Sequence, residues 1–212
     1  MKIEIRNDSV SISGYVNAIE RESKVLHTRD GKPFIEKISV GAFKRSLQRN
    51  DNVKLLLNHD NSRVLGSTKD NLTLTEDNIG LRATTTITDK DVIQKAREGK
   101  LSGWSFGFIP LRDERTNDEK RQLELRNVSE LDLLEVSILD NTKVPAYNGT
   151  LIEARELVSE VDELIELRVA DNEIEIEDKT STEQKETNKQ ENLNYEFSNR
   201  YYKAKITNLH NN

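Results

Sequence analysis

The sequence predicts a mainly β fold with flanking helices: an antiparallel β-barrel, followed by a C-terminal helix and a disordered tail. Three observations predict it. Short runs of β-branched and apolar residues alternate with polar ones and are separated by turn-forming residues. Only two short segments within the first 149 residues carry helical spacing, and many short strands with few helices favour a closed antiparallel barrel over a doubly wound sheet. Every glycine and every proline lies at or before Gly149, so the turn-forming part of the chain ends there. These boundaries predict a barrel domain over 1–149, an amphipathic helix over 150–170 and a polar, disordered tail over 171–212.

In chain order, strands are expected at 2–6 and 9–16, with Asn7 and Asp8 turning between them. Further strands are expected at 53–58, 72–76, 80–87, 101–111, 121–128 and 131–139. "DNIG" joins the 72–76 and 80–87 pair as a hairpin, and "TNDE" before Lys120 turns a second hairpin. One short helix spans about 41–49, with Ser39 as a candidate cap. The other is "DKDVIQKAREG", started by Thr88 or Asp89 and ended by Gly99 at the C′ position. After Gly149, Thr150 and Glu153 make a capping-box pattern. Leu151, Ala154, Val158, Val161 and Ile165 then form an apolar stripe. Beyond Asp171 the composition is too polar to bury a core, until the aromatic cluster "YEFSNRYY".

Composition narrows the function. The formal charge of −6 argues against nucleic acid, whose phosphates need a basic surface, and against an anionic membrane. The 212 residues contain 0 cysteines and 3 histidines, leaving no thiol nucleophile and no metal-ligand spacing, so no metal or other cofactor is expected. No apolar run approaches a membrane span, "MKIEIRNDSV" has no signal-peptide character, and no phosphate loop is present. Hydroxyl nucleophile chemistry remains, which needs a base and a group to orient the base.

The segment "LSGWSFGFIP" frames that possibility. Trp104, Phe106 and Phe108 point to one face, and Ser105 and Gly107 to the other. His59 closes the strand "VKLLLNHD", where Val53, Leu55, Leu57 and His59 are expected on one face, next to a loop. His27 lies in a polar loop and His210 near the end of the sequence. In "SELDLLEVSILD", Leu134, Val136 and Ile138 share a face while Glu135 and Ser137 point the other way. Asp132 and Asp140 are weaker acid candidates, and each of these residues could instead be an ordinary structural or solvated one.

"SVGAFKRSL", "LLLNHD", "VLGSTKDNLTLTEDNIGLRATTTI", "GKLSGWSFGFIP" and "ELDLLEVSILDNTKVPAY" together resemble the prohead proteases of tailed bacteriophages, over roughly residues 12–147. That family is similar in turn to the herpesvirus assemblins, serine proteases built on a β-barrel. By position, the resemblance implies Ser105 as nucleophile, His59 as general base and Glu135 as the third member. The glycines beside Ser105 are expected to leave room for a substrate carbonyl. The implied function is a serine endopeptidase that cleaves major capsid protein or its scaffolding segment, and itself, inside the assembling prohead in the host cytoplasm. Self-association is the other partner expectation. The alternative is a non-catalytic structural or scaffolding module of prohead assembly.

Overall fold

The computed structural model describes residues 1–28, 30–141, 165–170 and 173–180. Its elements in chain order are β1 (Lys2–Ile5), β2 (Val10–Ala18), β3 (Leu26–His27), β4 (Pro33–Ile38), α1 (Ala42–Arg49), β5 (Lys54–Leu57) and β6 (Asp60–Ser67). There follow β7 (Leu72–Glu76), β8 (Gly80–Ile87), α2 (Lys90–Arg97), β9 (Leu101–Asp118), β10 (Leu123–Asp140), β11 (Glu166–Val169) and β12 (Glu175–Asp178). One sheet has the order β12-β1-β2-β8-β7; the other runs β11-β9-β10-β4-β3, with β5 paired to β10 and β6 to β5.

The fold is mainly β, but among the described residues the two sheets do not close into a barrel. They share a core instead of edges. Ile3, Ile12, Val16 and Leu81 from the first sheet are buried in one cluster with Leu55, Trp104, Phe106, Leu133 and Val136 from the second. Nor is the arrangement purely antiparallel, since β4 and β5 both run parallel to β10 and β12 runs parallel to β1. The reason is local. β4 and β5 lie end to end along the same side of β10, with α1 between them, so the chain advances without reversing.

Where α1 interrupts that edge, its side chains take over the hydrogen bonding of β10. Arg45 donates to the Ser129 carbonyl, Arg49 to Leu131 and Asn50 to Leu133, while the Ser46 hydroxyl accepts from the Leu133 N–H. Backbone groups left without a strand partner are thereby satisfied, which burial demands. Gly41, not Ser39, is the N-cap of α1 and supplies no side-chain cap. The Glu76 carboxylate caps the helix from β7 instead, accepting from the Gly41 and Lys44 N–H groups. Asp89 caps α2 by accepting from Val92 N–H at 3.0 Å, and Gly99 sits just beyond its end at φ +65°.

β9 and β10 form one hairpin of 18-residue strands where the sequence suggests three separate runs. Register shifts at Val128/Glu130, Glu130/Leu131 and Leu133/Glu135 break the ladder, and such bulges bend and twist a strand pair. The expected helix over 150–170 lies outside the described residues up to 164; over Glu166–Val169 the chain is a strand, β11, on the free edge of β9. The expected disordered tail contains a second strand, β12, set against β1. Alternation in "EIEIE" favours extended structure there, a pattern masked by its polarity.

Candidate active site

Three pieces of backbone converge on one point. β9 carries Ser105, fixed from below by Trp104, Phe106 and Phe108, all with no exposed surface. Phe106 meets Phe43 of α1 edge-on at 5.5 Å and stacks with Phe108 at 5.4 Å, so the strand under the serine is held by packing on both sides.

β10 carries Glu135. Leu131 and Leu133 are core residues, and so are Val136 and Ile138. The parity changes at the bulge between Leu133 and Glu135. Without that extra residue Glu135 would point into the core with Leu133. With it, Glu135 and Ser137 lie on the Ser105 side, opposite Gly107 and Ser105 respectively. Gly107 is needed for this approach, because a Cβ there would sit 2.6 Å from Glu135 Oε1 and 3.0 Å from Leu167 Cδ2. The space that the sequence expectation gave to a substrate carbonyl is taken here by Glu135 and by Leu167 of the strand β11 (Glu166–Val169).

His59 is not the last residue of a strand face, as the sequence suggests. β5 ends at Leu57, and Asn58 and His59 form a tight turn with φ of +57° and +60°. Two consecutive positive φ values suit a two-residue hairpin turn, with asparagine tolerated first. For histidine the left-handed conformation is strained. The turn is pinned to β10 on both sides. Asn58 N–H donates to the Ile138 carbonyl, the Asn58 side chain accepts from Asp140 N–H, and His59 N–H donates to Ser137 Oγ at 3.0 Å.

The side chains then form a connected chain. Glu135 Oε1 lies 2.7 Å from His59 Nδ1, and His59 Nε2 lies 2.7 Å from Ser105 Oγ. Ser137 donates to Glu135 Oε2 at 2.6 Å. It thus fixes both the carboxylate and the backbone of the histidine, a role that sequence reasoning missed. Its position two residues after Glu135 on the same face is the signal that could have found it. The weaker acid candidates are engaged elsewhere: Asp132 with Arg49 at 3.0 Å, and Asp140 with Lys95 at 3.5 Å. His27 is exposed at the end of β3, and His210 lies outside the described residues.

β11 completes the surroundings. It pairs antiparallel with β9, setting Val169 opposite Ser105 and Arg168 opposite Phe106. Ser105 Oγ donates to the Arg168 carbonyl at 2.6 Å, and Ser105 has no exposed surface. The Arg168 guanidinium sits 5.3 Å above the Phe108 ring and pairs with Glu36 through Nε at 2.7 Å and Nη2 at 2.8 Å. Arg126 reaches the same Glu36 at 3.1 Å, binds Glu166 at 2.6 Å and also contacts Asp113. Burial opposes charging of Arg168, but Glu36 and Glu166 outweigh it and hold its pKa above the ordinary value. Burial likewise disfavours the Glu166 carboxylate, yet Arg126 and Arg168 keep its pKa below the usual carboxylate range.

A serine, histidine and carboxylate so linked, on a bulged sheet, coincide with a family match. The caudovirus prohead serine protease family matches residues 1–163. The chain belongs to that family. Neither a curated relative nor a solved structure matches it. Family membership brings a serine-protease role in capsid maturation, with a capsid-related substrate and a place of action inside the assembling capsid of the host cell. Among the described residues no helix is long and apolar enough to cross a membrane, and no group of His, Asp or Glu could hold a metal ion.

Proposed function

We propose that this prohead protease cleaves major capsid protein or its scaffolding segment with Ser105 as nucleophile, His59 as general base and Glu135 as the group that orients the base. The carrying observation is the Glu135–His59–Ser105 chain, with both links at 2.7 Å. In the reaction His59 Nε2 takes the Ser105 proton as Oγ attacks the scissile carbonyl, then returns it to the leaving amine. Glu135 accepts the Nδ1–H, which fixes the tautomer and stabilises the imidazolium. Ser137 holds the other carboxylate oxygen and so fixes the plane of that contact. A second reading, the non-catalytic scaffolding module, draws on the complete burial of Ser105 beneath β11.

The region after the β9–β10 hairpin is assigned as a recruitment segment that the active enzyme removes from itself. Support comes from its polar composition past Asp171 and from β11 lying against the nucleophile. Self-association and the absence of a nucleic-acid partner, the latter from the net charge of −6, belong to the same reading. The test is co-expression with the capsid protein of the same phage, with and without Ser105→Ala, followed by intact mass analysis. Cleavage that depends on Ser105 is the expected result; equal cleavage by Ser105→Ala ends the serine-protease assignment. Deleting residues 171–212 tests recruitment: normal entry of the truncated chain into proheads, with the full chain left uncut by active enzyme, would remove that part.

A further inference from the structure

The cluster around Arg168 is not explained by the catalytic chain. Glu36, Arg126 and Arg168 are each nearly buried, and the guanidinium of Arg168 is doubly bonded to one carboxylate while stacked on an aromatic ring. Bidentate pairing with stacking is a geometry specific to arginine. Arg168 belongs to the strand that, among the described residues, covers the nucleophile, and its own carbonyl accepts from the Ser105 hydroxyl.

Removing β11 in thought shows what it fills. Without Arg168 and Glu166, the nearly buried charges left are Glu36 and Arg126, beside a half-buried Asp113 that Arg126 shares with Arg115. Glu36 Oε1 accepts only from Arg168 Nε in the cluster described, so it would be left without its partner. Buried acceptors without partners are strongly disfavoured. The vacated slot therefore calls for a donor to Glu36 Oε1, which a guanidinium on an extended segment at the edge of β9 supplies while bonding Oε2 as well. Two residues earlier, on the same side of that segment, it offers Arg126 to an acid, as Glu166 shows at 2.6 Å.

We infer that β11 occupies the substrate channel in the manner of a substrate strand, that Glu36 selects a basic residue immediately before the scissile bond, and that Arg126 favours an acidic residue two positions earlier. This rests on the serine-protease reading above and names the substrate class it takes: extended segments of the form acidic-any-basic, bound by strand addition. The β11 carbonyl that accepts from Ser105 Oγ, at 2.6 Å, is that of Arg168, so the bond β11 presents is Arg168–Val169. A turn of the Ser105 side chain moves Oγ from the carbonyl oxygen to the carbon. The Oγ–C bond then forms, the proton passes to His59 Nε2, and the C–N bond breaks as that proton moves to the Val169 nitrogen. Water, deprotonated by the same imidazole, hydrolyses the ester and restores Ser105, leaving the Arg168 carboxylate. While Ser105 donates to the Arg168 carbonyl its proton is not available to Nε2, so the docked strand also holds the enzyme at rest.

The test uses the full chain, a quenched fluorescent peptide with the sequence of residues 163–173, and the same peptide with glutamine in place of the arginine. A fluorophosphonate probe with mass readout reports independently on the reactivity of Ser105. The peptide is expected to be cut after its arginine, with kcat/KM about 100-fold or more above the glutamine peptide, as for sites built around a buried polar contact. Glu36→Gln should bring that ratio below about 10-fold, and Arg168→Ala should speed probe labelling of Ser105 by about 10-fold or more by loosening the docked strand. Cleavage at another bond, equal rates on the two peptides, or an unchanged ratio in Glu36→Gln overturns the inference. So does labelling of Ser105 with neither peptide cut, and the protease reading then stands. If Ser105 resists the probe in both wild type and Arg168→Ala and nothing is cut, the protease reading itself falls. Should Glu36→Gln not fold, the ratio on the wild-type chain alone decides.

Discussion

Glu135→Gln isolates the contribution of one negative charge to the proposed catalytic chain. The carboxylate contacts His59 Nδ1 at 2.7 Å and accepts from Ser137 at 2.6 Å, and its side chain is only 10% exposed. When His59 takes the serine proton, an imidazolium forms beside it. Two unit charges with centres ~4 Å apart interact by about 4 kcal/mol at an effective dielectric of 20. Glutamine forfeits that attraction, which corresponds to about 1,000-fold in rate. Hydrogen bonding adds to the loss. To keep its carbonyl on Nδ1, the substituted amide must turn its NH2 towards Ser137 Oγ, which already accepts from His59 N–H. Ser137 then loses the acceptor for its own proton, worth about 1 kcal/mol. The expected fall is about 1,000- to 10,000-fold, measured as the second-order rate of fluorophosphonate labelling of Ser105. Circular dichroism and the melting temperature would establish that the variant is folded. A folded Glu135→Gln chain that labels within about 10-fold of the wild type would refute the reasoning, as would a larger loss for Asp140→Asn or Asp132→Asn.

The other predictions follow from the same geometry. Ser105→Ala and His59→Ala should each abolish cleavage with the fold intact, and the double variant should lose scarcely more than either, because the group acts as a unit; additive losses in single-turnover assays would count against it. Gly107→Ala puts a methyl 2.6 Å from Glu135 Oε1, so cleavage and the docking of β11 should both suffer, the latter seen as faster amide exchange over 165–170; exchange and activity like the wild type would show that the strand tolerates a side chain there. Because Glu166 has its pKa depressed in the fold, its stabilising contribution is present above the ordinary carboxylate value and is lost as pH falls through the lower folded value. β11 should therefore loosen in acid, and Glu166→Gln should flatten that pH dependence of exchange; an equal acid response in the variant would assign it to other groups. Phe43→Ala removes a wholly buried ring from beneath β9 and should destabilise the protein by about 3–5 kcal/mol in urea melts; a loss below about 1 kcal/mol would mean that the ring does not anchor the strand.

How much was legible in the sequence differs by element, for physical reasons. β7 and β8 are expected at 72–76 and 80–87 and occur there, since each alternates and the turn "DNIG" is self-sufficient: Asp77 accepts from both Ile79 and Gly80 N–H. The capping of α2 by Asp89 is equally local. The alternation around Ser105 is also readable, because it depends only on the twofold period of a strand. The alternation of Leu134, Val136 and Ile138 placed Glu135 on the opposite face, which holds, although at the bulge Leu133 is buried in the core and Leu134 is only half-buried.

Tertiary structure alone decided the rest. Whether the strands closed a barrel depended on which edges met, and α1 occupying part of β10 is not a property of any short segment. The left-handed turn at Asn58 and His59 requires the distant Ile138, Ser137 and Asp140 to hold it. β3, β4, β6 and β12 were missed because polar or charged residues dilute their apolar pattern, and β11 fell within the span expected as a helix. What stabilises β11 is Glu36, 132 residues away in sequence from Arg168. A segment's own residues determine its local conformational preference, but a buried ion pair forms only when two remote segments supply opposite charges to the same dry space. Strand-rich character and the residues available for chemistry follow from local sequence, whereas which charges meet and what covers the serine follow from the way remote segments pack.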